Sequence, residues 1–276
     1  MELQLGFSPC PNDTFIFDAL VNNKIDTQGI DFKVELQDVQ TLNDWARQGR
    51  LDVSKISYGV LPNILNEYIV LNSGGALGMG VGPLLIAKQG AENILEKDFT
   101  VAIPGRNTTA HMLFSLAFPH ILRKRFLVFN EIEDAVLNGT VDAGVIIHEN
   151  RFTYMEKGLI KLLDLGSYWE QHTGVAIPLG GIVMRREFGE DLINKVDNLI
   201  KQSVEYAFAN NYEHLTPYIK EHSQEMSEDV MRQHINLYVN DYSKELGSDG
   251  RKAVMKLLEI YEHLYPVPSR YHEVFA

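Results

Sequence analysis

The sequence predicts an α/β protein of two lobes, in which mixed sheets are flanked by helices and a helical tail closes the chain. Three observations carry that expectation. Short apolar runs alternate with helical segments from the first residues to about 184, one short pattern occurs twice, and from Asp191 onward the apolar spacing is helical almost throughout.

The elements follow in order. Leu3, Leu5 and Phe7 alternate with Glu2, Gln4 and Gly6, the signature of a half-buried strand. Ser8-Pro-Cys-Pro-Asn-Asp-Thr14 then reads as a loop, with a helix from Phe15 to Val21 capped by Asp13 or Thr14. Asp31–Leu36 alternates again. Thr41–Gln48 is helical, with Thr41 as cap and Gly49 as stop. Asp52–Ser57 and Tyr68–Leu71 are strands. The Gly-rich stretch Ser73–Pro83 reads as hinge and cleft wall together, leading into the strand Leu84–Ala87. A second unit follows: strands Phe99–Ile103, Arg125–Phe129 and Val141–Ile147, with helices Ala110–Ala117 and Ile132–Leu137. Gly180–Met184 is an apolar strand, and helices at about 191–208, 228–240 and 249–264 complete the chain.

The repeated pattern pairs Gln48-Gly-Arg-Leu-Asp-Val-Ser-Lys-Ile-Ser57 with Asn138-Gly-Thr-Val-Asp-Ala-Gly-Val-Ile-Ile147. In each, a helix ends at Gly and gives way to an apolar residue, an Asp and a buried strand. Two similar lobes follow from it. Residues 1–88 and 180–276 are expected to form a larger, discontinuous lobe and residues 89–179 a smaller one, with a ligand cleft between them.

Composition narrows the function. Of 276 residues 45% are apolar and 22% charged, an ordinary globular balance. The net charge of −12, from 25 basic and 37 acidic side chains, repels phosphate backbones and argues against nucleic acid. A small anion held by backbone N–H groups stays compatible with it. The single cysteine, Cys10, excludes an intramolecular disulfide and the Cys-rich zinc frameworks. A strand starting at Leu3 leaves no room for a secretory signal, and no run of ~18 apolar residues occurs. The expectation is a soluble cytoplasmic protein with no membrane partner, a monomer or homodimer.

Ligands of open α/β sheets lie off the carboxyl ends of the strands. That rule nominates Ser8–Thr14, Ser57–Tyr58, Arg106–Ala110 and His148–Arg151. Pro104-Gly-Arg-Asn-Thr-Thr-Ala110 suits an anion, because Thr108 and Thr109 offer hydroxyls beside N–H groups at a helix start. An ordinary cap by Asn107 or Thr108 explains the same residues. Among nine histidines, His148 alone directly follows a buried strand, Val145-Ile-Ile147, which aims its imidazole at the cleft. It is a candidate proton carrier or a structural His bonded to a carbonyl. Cys10 is a nucleophile by position or a small buried hydrophobe by habit. No dinucleotide fingerprint, Walker motif or metal-binding His pair is present.

These same segments carry a family resemblance. Ser8-Pro-Cys-Pro-Asn-Asp-Thr-Phe15, Lys55-Ile-Ser-Tyr58, Gly80-Val-Gly-Pro83, Pro104–Ala110 and Gly144-Val-Ile-Ile-His-Glu149 resemble the 1,4-dihydroxy-6-naphthoate synthases of the futalosine route to menaquinone. The resemblance implies a type-II periplasmic-binding-protein-like fold and a lyase reaction without metal or organic cofactor. Its substrate would be cyclic dehypoxanthinyl futalosine, an anionic aromatic precursor, and its products 1,4-dihydroxy-6-naphthoate and dihydroxyacetone. Lys55, Ile56, Ser57, Thr109 and Ala110 would bind substrate, with Thr108, Ser8, Asn12 and Thr14 beside them. His148 would be the proton acceptor, and Met79 a candidate to pack on the flat ring. Two competing readings are a chorismate dehydratase of the same route and a cytoplasmic binding protein without catalysis.

Overall fold

The structure, a computed structural model, describes residues 1–148, 150–223, 227–265 and 273–276. Glu149, which ends the Gly144–Glu149 motif, and His272 lie outside the described residues. The chain opens with β1 (Glu2–Phe7), α1 (Pro11–Val21), β2 (Asp31–Leu36), α2 (Val39–Arg47), β3 (Val53–Ser57), β4 (Tyr68–Val70) and β5 (Ala76–Gly78). It continues with β6 (Leu84–Lys88), β7 (Val101–Ile103), α3 (Thr109–Ala117), β8 (Lys124–Phe126), α4 (Ile132–Leu137), β9 (Ala143–Ile146), α5 (Asn150–Thr153), β10 (Leu159–Asp164) and α6 (Leu165–Thr173). β11 (Ile177–Arg185) precedes α7 (Gly189–Asn210), α8 (Pro217–His222), α9 (Glu228–Tyr238), α10 (Asp241–Lys244) and α11 (Gly247–Leu264).

Two mixed sheets result. The first runs β2-β1-β3-β11-β4, with β5 paired to β11, and the second runs β10-β6-β9-β7-β8. In the first, β1 is parallel to β2 and β3, while β11 is antiparallel to β3, β4 and β5. In the second, β7 is parallel to β8 and β9, and β6 is antiparallel to β9 and β10. Strand β6 therefore hydrogen-bonds into the second sheet, and the chain changes sheets between β5 and β6.

The repeated sequence pattern has a structural counterpart. Gly49 and Gly139 both sit at positive φ after a helix, where a side chain would be strained. The Asp that follows each plays the same part. Asp52 Oδ2 accepts the Gln4 N–H at 2.8 Å, and Asp142 Oδ2 accepts the Thr100 N–H at 2.8 Å. Each carboxylate thus ties the start of its own strand to a parallel neighbour.

Apolar alternation places Leu3, Leu5 and Phe7 against Phe15 and Phe17 of α1 and against Val196, Leu199, Ile200 and Val204 of α7. Each such side chain contributes about 1.5–3 kcal/mol on full burial. Ser203 locks the two helices, donating to the Ile16 carbonyl at 2.6 Å and accepting from the Leu20 N–H at 3.1 Å. Trp169, Phe99 and Phe114 anchor another core, between the second sheet and α3.

Several expectations are corrected. Helix α1 begins at Pro11, with Cys10 in extended conformation as its N-cap, so Asn12, Asp13 and Thr14 occupy its first turn and not a loop. Proline suits that position because its missing N–H has no partner there in any helix. Helix α2 begins at Val39 and is capped by Asp38, whose Oδ1 accepts from Gln40 N and Thr41 N. Strands β5 and β10 and helices α5, α6, α8 and α10 were not expected from the pattern. No helix among the described residues is long and apolar enough to cross a membrane.

Candidate active site

The carboxyl ends of β1, β3 and β9 and the start of α3 face one cavity, of about 680 Å³ counted with its open mouth. β1 delivers Ser8 and the first turn of α1, and β3 delivers Lys55, Ile56 and Ser57. The second sheet brings Thr108, Thr109 and Ala110 from α3 and Ile147 and His148 from the end of β9. The expected residue missing from the wall is Thr14. It is fully buried, and its Oγ1 donates to the carbonyls of Cys10 and Pro11 inside its own helix. Met79 is also absent from the wall and is 61% exposed; Ala76, Val81 and Pro83 supply the apolar surface there.

His148 leaves β9 with φ of +56°, a left-handed backbone unusual for a residue with a side chain. The turn puts its Nδ1 3.7 Å from the Cys10 sulfur. Its ring meets Phe129 edge-on, at 5.1 Å between centroids, and stacks on His234 at 5.8 Å and 21°. His234 belongs to α9 and is wholly buried, which holds its pKa well below the ordinary value; the nearby His148 lowers it further. The cavity therefore contains one imidazole kept neutral and a second packed against it. Asn150, just beyond His148, donates to Glu133, whose other partner is Lys157 at 2.6 Å. Arg151 reaches the carbonyls of Gly80 and Gly82 and pairs with Asp164 at 2.9 Å. The segment after β9 is thus tied to the chain where it changes sheets.

Beneath the first strand ends lies a buried ion pair, Lys55 Nζ to Asp13 Oδ1 at 2.9 Å, with side chains 5% and 2% exposed. Further hydrogen bonds to both partners offset the cost of burying such a pair. Asp13 Oδ2 accepts from Ser8 N at 3.2 Å and Ser8 Oγ at 2.7 Å, and Oδ1 accepts also from Asn12 Nδ2 at 2.8 Å. Lys55 Nζ donates further to the Gly74 carbonyl at 3.3 Å. Ser57 is fixed through Asn43, whose Oδ1 accepts the Ser57 N–H at 2.8 Å and whose Nδ2 donates to Ser57 Oγ at 3.1 Å.

At the start of α3, Thr108 acts as the N-cap: its Oγ1 accepts from the His111 N–H at 3.2 Å and donates to the Gly105 carbonyl at 3.0 Å. Thr109 Oγ1 donates to the Leu179 carbonyl at 2.8 Å and accepts from the Gly59 N–H at 3.0 Å. Both hydroxyls are therefore committed to the protein, and the cap reading of Thr108 holds. What this turn can offer a ligand is backbone N–H, at Thr109 and Ala110, together with the positive end of the helix.

Sequence reasoning missed His234 and Tyr238, which line the cavity from α9. Periodicity within α9 marks them as inward-facing but carries no sign of what they meet. Among the described residues, no group of three or more His, Cys, Asp or Glu side chains is arranged to hold a metal ion.

The two-sheet architecture with a cleft at the strand ends is that of the periplasmic-binding-protein-like folds. An aliphatic sulphonate binding protein of Escherichia coli superposes with a TM-score of 0.66 at 11% identity, over 97% of this chain and 89% of that one. A ligand-binding component of an ABC-type import system from Staphylococcus aureus gives 0.69 at 13%, over 99% and 96%. A protein of Archaeoglobus fulgidus is much nearer, with a TM-score of 0.88 and 29% identity over 95% of this chain and 97% of that one. Residues 3–263 match the family model for menaquinone biosynthesis, and the chain belongs to that family. Its relatives include proteins named 1,4-dihydroxy-6-naphtoate synthase. That of Thermus thermophilus is 46% identical over 92% of both chains, and that of Streptomyces coelicolor 42% identical over 93% of this chain and 91% of the relative.

Proposed function

We propose that the chain is a carbon–carbon lyase of menaquinone biosynthesis, converting cyclic dehypoxanthinyl futalosine to 1,4-dihydroxy-6-naphthoate and dihydroxyacetone. The observation that carries the reading is the match, over 92% and 93% of this chain, to two relatives bearing the synthase name. The cavity supports it, because cleavage begun by deprotonation needs a base, donors for developing negative charge, and exclusion of water. His148 is the base in this reading. Its Nδ1 faces Cys10, and we assign Nε2 to the substrate proton. The N–H groups of Thr109 and Ala110 hold the substrate carboxylate, and Lys55 and Ser57 face the reacting end. The substrate is a small anion, and its flat ring lies against Ala76, Val81 and Pro83.

In the same reading the protein works in the cytoplasm and its two sheets belong to two lobes that close on the ligand. The lobes divide at the changes of sheet, near residues 79–83 and 174–176, which lies ahead of the Lys88 boundary that the sequence suggests. The test is mass spectrometry of products after the cyclic futalosine derivative, or chorismate, is added to purified protein. Naphthoate and dihydroxyacetone in equal amounts are expected from the former, and nothing from the latter. Turnover of chorismate alone would overturn the reading.

A further inference from the structure

Asn12 offers the cavity only one of its two polar ends. Its Nδ2 donates to Asp13 Oδ1 at 2.8 Å, which fixes the direction of the amide. Its Oδ1 has no hydrogen-bond partner among the described residues, although the residue is only 6% exposed and lines the cavity. Asp13 cannot supply that partner, because an ionised carboxylate accepts and does not donate. Both its oxygens are already engaged by Ser8, Asn12 and Lys55.

Lys55 is in the complementary position. An ammonium carries three N–H donors, and among the described residues those of Lys55 go to Asp13 Oδ1 and the Gly74 carbonyl. Lys55 Nζ and Asn12 Nδ2 meet at the same carboxylate oxygen. A spare donor and a spare acceptor therefore stand side by side in one wall. A ligand carboxylate or ketone could accept from Lys55 but would leave Asn12 Oδ1 facing another lone pair. A hydroxyl accepts from the one and donates to the other.

We propose that Asn12 and Lys55 together recognise a hydroxyl of the dihydroxynaphthoate ring, at the end away from the α3 N-terminus, with Asn12 as the specificity-determining acceptor. This rests on the cavity being the synthase active site. A buried acceptor left unpaired discriminates strongly against an analogue that lacks the donor.

The test is calorimetric binding of 1,4-dihydroxy-6-naphthoate and of 2-naphthoate, which keeps the carboxylate and ring but lacks both hydroxyls. Unaltered protein is expected to bind the hydroxylated acid about 10- to 100-fold more tightly. Asn12→Leu should erase most of that difference by weakening the hydroxylated acid, leaving 2-naphthoate within about threefold. Equal affinities in the unaltered protein overturn the proposal whether or not the variant folds. So does a variant that weakens both acids alike or neither. If the unaltered protein binds neither acid, the reading of the cavity falls, and this proposal with it.

Discussion

The Cys10 sulfur and Nδ1 of His148 lie 3.7 Å apart, joining the first turn of α1 to the end of β9. The contact orients the imidazole between Phe129 and His234. With His148 as base, His148→Ala should lower kcat by about 10²- to 10⁴-fold while the Kd for the naphthoate product stays within a few-fold. Cys10→Ser, which keeps a hydrogen-bonding group in place, should cost much less. Steady-state kinetics with calorimetry checks both, and near-normal turnover by His148→Ala would remove the base assignment.

Asp13 and Lys55 are buried together, so removing one partner strands the other. Asp13→Asn and Lys55→Met should each lower unfolding free energy by about 3–5 kcal/mol. The double variant should cost less than the sum, because neither charge is then left alone. Urea unfolding measures all three; strict additivity would mean that the pair is not coupled.

Stability should fall in mild acid. Burial holds His111 at about 4, against the pull of its bond to the Arg106 carbonyl, and holds His234 well below its ordinary value. Both bind protons more readily in the unfolded chain, so acid favours unfolding. Their contribution is complete above the unfolded value of ~6.5 and is lost as pH drops below it toward the folded values. His111 accounts for about 1 kcal/mol between pH 7 and 5.5. Melting curves of His111→Gln should show a flatter pH dependence than those of the parent, and an unchanged slope contradicts this.

Gly59 packs directly on the start of α3: a Cβ there would lie 2.5 Å from the Thr108 carbonyl carbon and 2.6 Å from Thr109 N. Gly59→Ala should displace the N–H groups of Thr109 and Ala110 and cost about 1–3 kcal/mol of stability. Gly144, where a Cβ would lie 2.5 Å from Ile132 Cγ2 and 2.9 Å from Val136 Cγ2, outside the cavity wall, serves as comparison. Gly144→Ala should cost similar stability but less affinity for 2-naphthoate, measured by calorimetry. Equal losses of affinity would show that the α3 turn does not hold the carboxylate.

Much of the cavity wall was legible because its residues follow buried strands, whose ends an apolar run marks plainly. Ser8, Ser57 and His148 were found that way, whereas Lys55 and Ile56, inside the strand, were reached only through the family resemblance. The start of α1 was not, since two prolines around Cys10 look like a turn until Pro11 is seen as the first helical residue. Thr14 was nominated by proximity, yet its helical position turns its hydroxyl back to the backbone. His234 reaches the cavity only through the packing of α9, which no local pattern encodes. β10 is a partly exposed strand at the edge of its sheet, carrying Lys161 and ending at Asp164, so its alternation is faint.

β11 has a consequence for how the molecule is made. The second sheet is drawn from one continuous stretch, whereas β3 receives its antiparallel partner only when residues 177–185 arrive. At ribosomal speeds that is roughly 6–26 seconds during which an apolar strand edge waits unpaired. Closing so distant a pairing is slow in its own right. The nascent chain is thus most vulnerable to aggregation before β11 emerges, and truncations ending between residues 90 and 176 should be the ones that chaperones retain.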